Sequence, residues 1–315
     1  MRMISAWDAA IYLRIAQTGY TGNVNLYVFA PLYPSLTRLM GGFWAAFLIA
    51  NICSIASVFL LYKITNFPTA LLFASFPTFL VFGTSAYADP MMMFFLILSY
   101  WLYSRKQYWP MCISLTLAIL TKYTALFAIP IFLLLVAYRT RLKLRTLMAF
   151  SLPVCAMGAI MYWLWTATGD SLAFIHRQAA WGATGLVDPI TQANWVLTGW
   201  FTTQAAVLSS SQPWMWLLRN YAFQIPTLAL LAIALWRRKF ELVAIGLPFV
   251  LLTLTTIGMP AISTPRLILP GIWVCFVAFK DQIQEHKTEA MVLTVCFVLI
   301  GLSWLLCFSR GGFVA

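Results

Sequence analysis

The residues that could do chemistry in this chain are few and isolated: Asp8, Arg14, Asp89, Lys122, Asp170, His176, Arg177, Asp188 and Arg266. Asp8 leads them, because it sits in an early polar segment, Trp7 to Pro34, that also holds Tyr12, Gly19-Tyr20 and Pro31-Leu32-Tyr33-Pro34. A positioned carboxylate can take a proton from an attacking hydroxyl, and single cations at helix ends can hold an anionic group by preorganised charge. Each candidate also has an ordinary structural reading. Asp8 and Asp89 suit helix starts, where Asp is a favoured cap. Lys122 interrupts an apolar run from Met111 to Val136 and could snorkel, and Arg266, following Pro265 at the head of another run, reads similarly. His176 has no second His, Cys or carboxylate at ligand spacing, so it reads as a polar loop residue and not as part of a metal site.

The elements that must position these groups are apolar helices. Of 315 residues, 62% are hydrophobic and 9% charged, with mean hydropathy +0.86, against roughly 25% charged in soluble domains. Lipid requires each helix to satisfy its own backbone, so the expected fold is all-α: a polytopic transmembrane bundle of about ten spans forming a single domain over 1–315. The spans are expected near 41–62, 67–83, 90–104, 109–121, 124–138, 146–166, 214–236, 241–258, 266–280 and 288–308, several of them shorter than the ~20 residues of a perpendicular crossing. Ahead of them, 1–40 reads as a first external loop whose Trp7, Ile11 and Ile15 recur at helical spacing, the pattern of a short helix lying in the membrane interface. A second long external loop covers 167–213. No basic start followed by an unbroken apolar run marks a cleavable signal peptide.

Assigning alternate connectors to alternate sides segregates the charge. Lys63, Arg105, Lys106, Arg139, Arg141, Lys143, Arg145, Arg237, Arg238, Lys239, Lys280 and Lys287 collect on one side, the cytoplasmic one by the positive-inside rule. The other side holds four of the five aspartates, and isolated ionisable groups there are better suited to function than to orientation. The net charge of +12 is thus explained by topology and not by nucleic-acid binding. The cysteines, Cys53, Cys112, Cys155, Cys275, Cys296 and Cys307, all fall in apolar spans and read as buried thiols.

In order, the polar pieces resemble the PIG-V-like mannosyltransferases, the GPI mannosyltransferase II type and its prokaryotic relatives. Trp7-Asp8 with Tyr12-Leu13-Arg14-Ile15-Ala16 and Gly19-Tyr20, then Ala30-Pro31-Leu32-Tyr33-Pro34, resemble that family's first external loop. Ser85-Ala86-Tyr87-Ala88-Asp89 resembles its aromatic and acidic turn, and Leu120-Thr121-Lys122-Tyr123-Thr124 its Leu-Thr-Arg-Pro-Thr stretch. Thr168-Gly169-Asp170-Ser171-Leu172-Ala173-Phe174 with Gln178 and Trp181-Gly182 resembles its Thr-Gly-Asp-Pro-Leu-Ala-Phe, Gln, Trp-Gly segment. The chain departs from the pattern where Lys122 replaces the commoner Arg and where Tyr123 and Ser171 replace prolines. The family carries a membrane span before its Trp-Asp pair, whereas six residues precede Trp7, so a preceding transmembrane helix is expected to be missing.

The resemblance implies an inverting C-type (GT-C) glycosyltransferase, multi-pass in the membrane, with its active site on the extracytoplasmic or ER-lumenal face. It would move a sugar, here mannose, from a polyprenyl- or dolichyl-phosphate donor to a glycolipid or glycan acceptor. Asp8 would be the catalytic base. Lys122 and Arg266 would hold the phosphate, with Asp89, Trp7, Tyr12, His176 and Arg177 in the substrate site. No cofactor is indicated. No external Asp-x-Asp pair occurs, which argues against the usual metal site of nucleotide-sugar transferases, although some C-type relatives use a divalent metal. The closest alternatives are protein O-mannosyl- and lipid A aminoarabinose-type transferases, which carry an Asp-Glu type pair where Asp8 is followed by Ala9. A transporter or lipid flippase fits less well, since the spans are nearly free of charge and show no repeat.

Overall fold

The computed structural model describes residues 8–141, 143–181, 213–255 and 264–309, and every regular element among them is helical. Helix α1 (Asp8–Thr18) leads through a 3-10 turn at Val24–Val28 to α2 (Leu32–Leu39). The turn starts where the Asn23 side chain accepts from the Asn25 N–H at 2.9 Å. Helix α2 is pinned to α3 (Phe43–Ile64) by the buried Tyr33 hydroxyl, which donates to the Ala46 carbonyl at 2.9 Å.

The sequence reading puts Trp7, Ile11 and Ile15 on a face turned to the membrane interface. Trp7 lies outside the described residues, and the face that α1 buries is Ala9, Tyr12, Ile15 and Ala16, packed against α2 as part of the protein core. The small Ala9 and Ala16 allow the close approach, and the Tyr12 ring fills it.

The interval 67–83 holds two short helices, α4 (Phe67–Ala74) and α5 (Pro77–Gly83). The break is local chemistry: a residue before proline is pushed out of the helical region, and Phe76 takes φ −56°, ψ 125° ahead of Pro77. Helices α6 (Asp89–Ser104) and α7 (Tyr108–Thr121) follow, then a 3-10 turn at Tyr123–Phe127 running into α8 (Ala128–Thr140). After α9 (Leu144–Leu147), a 3-10 turn (Met148–Phe150) and α10 (Ser151–Thr168) come α11 (Ala173–His176) and a 3-10 turn at Arg177–Trp181. The last group is α12 (Pro213–Trp236), α13 (Phe240–Thr255), α14 (Thr264–Leu267), α15 (Leu269–Ala278), α16 (Lys280–Glu285) and α17 (Lys287–Ser309).

Contacts between helix ends sort the bundle into two poles. At one, Arg266 meets Asp8 and Lys122 meets Asp89. At the other, the Tyr103 hydroxyl donates to Glu241 Oε1 at 3.0 Å and Arg139 donates to the Tyr103 carbonyl at 3.2 Å. There too the Asn66 amide donates to the Lys280 carbonyl at 3.0 Å, and the Arg237 guanidinium lies 5.5 Å from the Phe279 ring centre. Asp89 opens α6 and Tyr103 closes it, so the poles are the two ends of one helix. Among the described residues three non-glycine residues have positive φ, Lys106 (60°), Arg141 (51°) and Arg238 (58°), and all terminate helices at the Tyr103 pole. A left-handed residue stops a helix, and a cation there meets the negative end of the helix dipole.

Every residue of α15 is buried, and α15 packs against α13 and α6. Its Gly271 faces Gly246 of α13 so closely that a Cβ on Gly271 would lie 2.6 Å from the Gly246 carbonyl oxygen. Small residues at such a crossing let two apolar helices touch through their backbones. The outer helices behave oppositely. Helix α3 exposes Trp44, Leu48, Ile52, Ile55, Phe59 and Tyr62 along one stripe. Among the described residues four stretches are long and apolar enough to cross a membrane: Phe43–Ile64, Tyr123–Thr140, Leu144–Thr168 and Lys287–Cys307. Shorter apolar helices at Tyr108–Thr121, Ala222–Trp236, Phe240–Leu252 and Leu269–Ala278 pack among them. The cysteines are free, but the expectation of buried thiols holds only for Cys112 and Cys275; Cys53 is half-buried and Cys155, Cys296 and Cys307 are exposed. These three lie on apolar helices whose surfaces are largely uncovered by protein.

Candidate functional site

Asp8, Asp89, Lys122 and Arg266 come together from four elements far apart in the chain. Asp8 is the first residue of α1, and its Oδ2 lies 2.7 Å from Arg266 Nη1. Asp89 is the first residue of α6, and its Oδ1 lies 2.5 Å from Lys122 Nζ. Arg266 also interacts electrostatically with Asp89, which joins the two pairs into one group.

Local sequence sets each position. Lys122 follows the last turn of α7 in extended backbone (φ −158°, ψ 126°), between that helix and the 3-10 turn, so its side chain leaves the helix axis instead of running along it. Snorkelling does not describe it, since it turns into an ion pair with only 17% of its side chain exposed. Capping does not describe Asp89 either: the cap position of α6 is Ala88, and the Asp89 carboxylate goes to Lys122. Arg266 comes from α14, immediately after Pro265.

Burial grades the four groups. The side chain of Asp89 is 3% exposed, Arg266 13% and Asp8 31%. Aromatic rings close the group in. The Arg266 guanidinium lies 5.3 Å from the Tyr87 ring centre and 6.0 Å from Phe82, and it donates a hydrogen bond to the Tyr87 hydroxyl. Arg266 Nε is shut off from solvent and has no hydrogen-bond partner among the described residues. Tyr12 stands edge-on to both Phe29 and Tyr33, with ring centres 5.2 Å apart in each case. Its phenol feels Asp89, Asp8 and Arg266; burial first, then the two carboxylates, push its pKa well above the usual tyrosine value, so it stays a neutral donor.

No protein-family model, curated protein or solved structure matches this chain.

His176 and Arg177 belong to a second group. Asp170 Oδ2 lies 2.8 Å from His176 Nδ1, and its Oδ1 accepts from the Leu172 N–H at 2.9 Å. The hydrogen bonds from His176 and from the Leu172 amide, with the nearby Arg177 charge, hold the Asp170 carboxyl below its ordinary value. His176 itself is exposed. The two groups are neighbours through one ring contact, Phe174 against Tyr123 at 4.8 Å, next in sequence to Lys122. Trp7 and Asp188 lie outside the described residues.

Phe82, beside the Arg266 guanidinium, is a site neighbour that sequence reasoning passed over, as is the ring cluster around Trp163 on the first polar segment. Trp163 of α10 packs 5.0 Å from Tyr20 and 5.1 Å from Tyr27, which are themselves stacked at 4.8 Å. Both residues sit inside apolar runs, where an aromatic carries no signal of its own. Among the described residues no three His, Cys, Asp or Glu side chains are grouped as metal ligands would be. The group at the Asp8 pole therefore offers a reachable carboxylate, a deeply buried one, two cations and a neutral phenol donor.

Proposed function

We propose that this chain is an inverting C-type glycosyltransferase, a multi-pass membrane protein of about ten crossings, that transfers mannose from a polyprenyl- or dolichyl-phosphate donor to a hydroxyl of a glycolipid or glycan. Its active site is the Asp8 pole, on the extracytoplasmic or ER-lumenal face, opposite the pole that carries the basic helix ends. The observation that carries the reading is the meeting of Asp8, Asp89, Lys122 and Arg266 in one half-buried group fed by four separate elements.

The chemistry asks little else. The acceptor oxygen attacks the anomeric carbon and its proton passes to Asp8, the more exposed carboxylate. The bond between that carbon and the phosphate oxygen breaks, and its electron pair leaves with the phosphate. A phosphate is already a weak base, so it needs cations and not a proton, and Arg266 and Lys122 supply them in a site with little water to reorganise. Tyr12, held neutral, donates a hydrogen bond to the forming or leaving oxygen. One direct displacement inverts the anomeric centre.

The test is transfer of labelled mannose from polyprenyl-phosphate mannose to a panel of glycolipid acceptors by the purified protein in liposomes. Asp8→Asn is expected to lower the rate by at least about a hundredfold, the usual share of a general base. Undiminished transfer by that variant, or a product with retained configuration, would refute the assignment.

A further inference from the structure

We infer that the Asp8–Arg266 ion pair is a latch: the phosphate of the donor takes Arg266 from Asp8 and thereby frees the base, so that acceptor activation waits for the donor. This rests on the reading above that the site receives a lipid phosphate.

The argument is a count of charges and exposures. Two carboxylates and two cations make the group neutral, and each cation already touches a carboxylate. An arriving phosphodiester brings a further negative charge, and the cation that binds it most strongly is one drawn away from its present carboxylate, because a carboxylate left in place offsets the attraction. The two pairs respond differently. Parting Lys122 from Asp89 would leave a carboxylate with 3% exposure to face a dry interior, and a buried charge stripped of its partner is heavily penalised. Parting Arg266 from Asp8 leaves a carboxylate with 31% exposure, which can take water in exchange. The exchangeable pair is Asp8–Arg266, and Asp89–Lys122 is the fixed one.

Arg266 is built for the trade. Guanidinium groups grip phosphate through two parallel N–H bonds, and here Nη1 is spent on Asp8 while Nε, whose N–H runs parallel to one on Nη2, has no access to solvent and no hydrogen-bond partner among the described residues. A turn of the side chain away from Asp8 brings the Nε–Nη2 edge of the guanidinium to the phosphate with its full charge released from the carboxylate. Asp89 stays within electrostatic reach and keeps the guanidinium in the group while it turns. The freed Asp8 carboxylate then takes the acceptor proton, for which it is a weaker base while Arg266 holds Oδ2.

The test needs no catalysis. Binding of decaprenyl phosphate, without sugar, is measured on the full chain in phosphatidylcholine nanodiscs, with decaprenol as the uncharged control. Asp8→Asn is expected to bind the phosphate about tenfold more tightly than wild type, because the competing carboxylate is gone. In an Arg266→Gln background, which already binds weakly, the same change should move affinity less than about twofold, since the latch is absent. Asp8→Glu, which keeps the charge, should not tighten binding. Equal or weaker binding by Asp8→Asn would overturn the latch, and so would an equal gain in both backgrounds, the sign of a general charge effect. Should Arg266→Gln fail to fold by thermal unfolding, Arg266→Lys provides the comparison, with its point charge in place of the fork. Decaprenyl phosphate binding no better than decaprenol would overturn the phosphate reading and the latch together.

Discussion

Replacing Lys122 with Met leaves the Asp89 carboxylate in place with 3% of its side chain exposed and its nearest cation gone. Breaking a buried pair by removing one partner costs about 3–5 kcal/mol. Arg266 remains within electrostatic reach of Asp89 and returns part of this, so the expected loss is about 3 kcal/mol, roughly a hundredfold in the folding equilibrium. Asp89→Asn alone is milder, about 1–2 kcal/mol, because the freed lysine has a flexible stem that can carry its ammonium to water. The double change Asp89→Asn/Lys122→Met removes both charges at nearly constant volume and should cost only about 1 kcal/mol, since uncharged replacements of buried pairs are often close to neutral. The coupling between the two sites is then about 3 kcal/mol. Cys112 gives the assay, because it is buried on α7, the helix that ends beside Lys122. With Cys53, Cys155, Cys296 and Cys307 changed to Ser and Cys275 to Ala, alkylation of Cys112 against temperature in nanodiscs reports opening of this helix. A loss under about 1 kcal/mol for Lys122→Met, or a double variant as unstable as the sum of the singles, would refute the claim that this pair is buried and mutually dependent.

Two glycines should respond in opposite directions. Gly271→Ala puts a Cβ 2.6 Å from the Gly246 carbonyl oxygen and should cost about 1–3 kcal/mol, whereas Gly158→Ala on α10 meets nothing within 4 Å and should gain about 0.5–1 kcal/mol; thermal unfolding of both checks the pair. The Asp170 carboxyl, held down mainly by His176, predicts a pH effect confined to its own turn. A depressed folded value means the contribution is fully present above the ordinary carboxyl value near 4 and is lost as pH falls through the lower one. Hydrogen exchange of the Leu172 to His176 amides should accelerate over that range relative to amides elsewhere, and Asp170→Asn should remove the pH dependence.

The positions of the helices were legible because each expected apolar interval, as far as the described residues reach, falls mainly on helix, from α3 at Phe43–Ile64 to α17 at Lys287–Ser309. Their continuity was less so. A run such as 67–83 looks unbroken in hydropathy, and only the residue before Pro77 carries the break. The separation of two poles was also readable, since alternate connectors differ in charge, and the contacts of Tyr103, Glu241 and Arg139 at one pole and Asp8, Arg266, Asp89 and Lys122 at the other follow that division. Sequence could nominate the four ionisable residues of the site but not pair them, because pairing depends on which helix ends meet. It could not foresee that Tyr12 points inward, as the apolar stripe of α1 read from Trp7, Ile11 and Ile15 is turned by one position. Which cysteines are covered was likewise invisible, since one face of an apolar helix reads like another.

The unequal lengths of the helices bear on the lipid around the protein. Helix α3 has 22 residues and α7 has 14, or ~33 Å and ~21 Å along their axes. A bilayer thick enough to cover the outward stripe of α3 exceeds the length of α7, which ends beside Lys122. Hydrophobic mismatch of this kind is relieved by local thinning, so the lipid beside the shorter helix would thin to match it. On the proposed reading, a phosphate carried on a long isoprenoid tail would approach the ionic group across that thinned flank, with its head group still in the polar layer of the membrane.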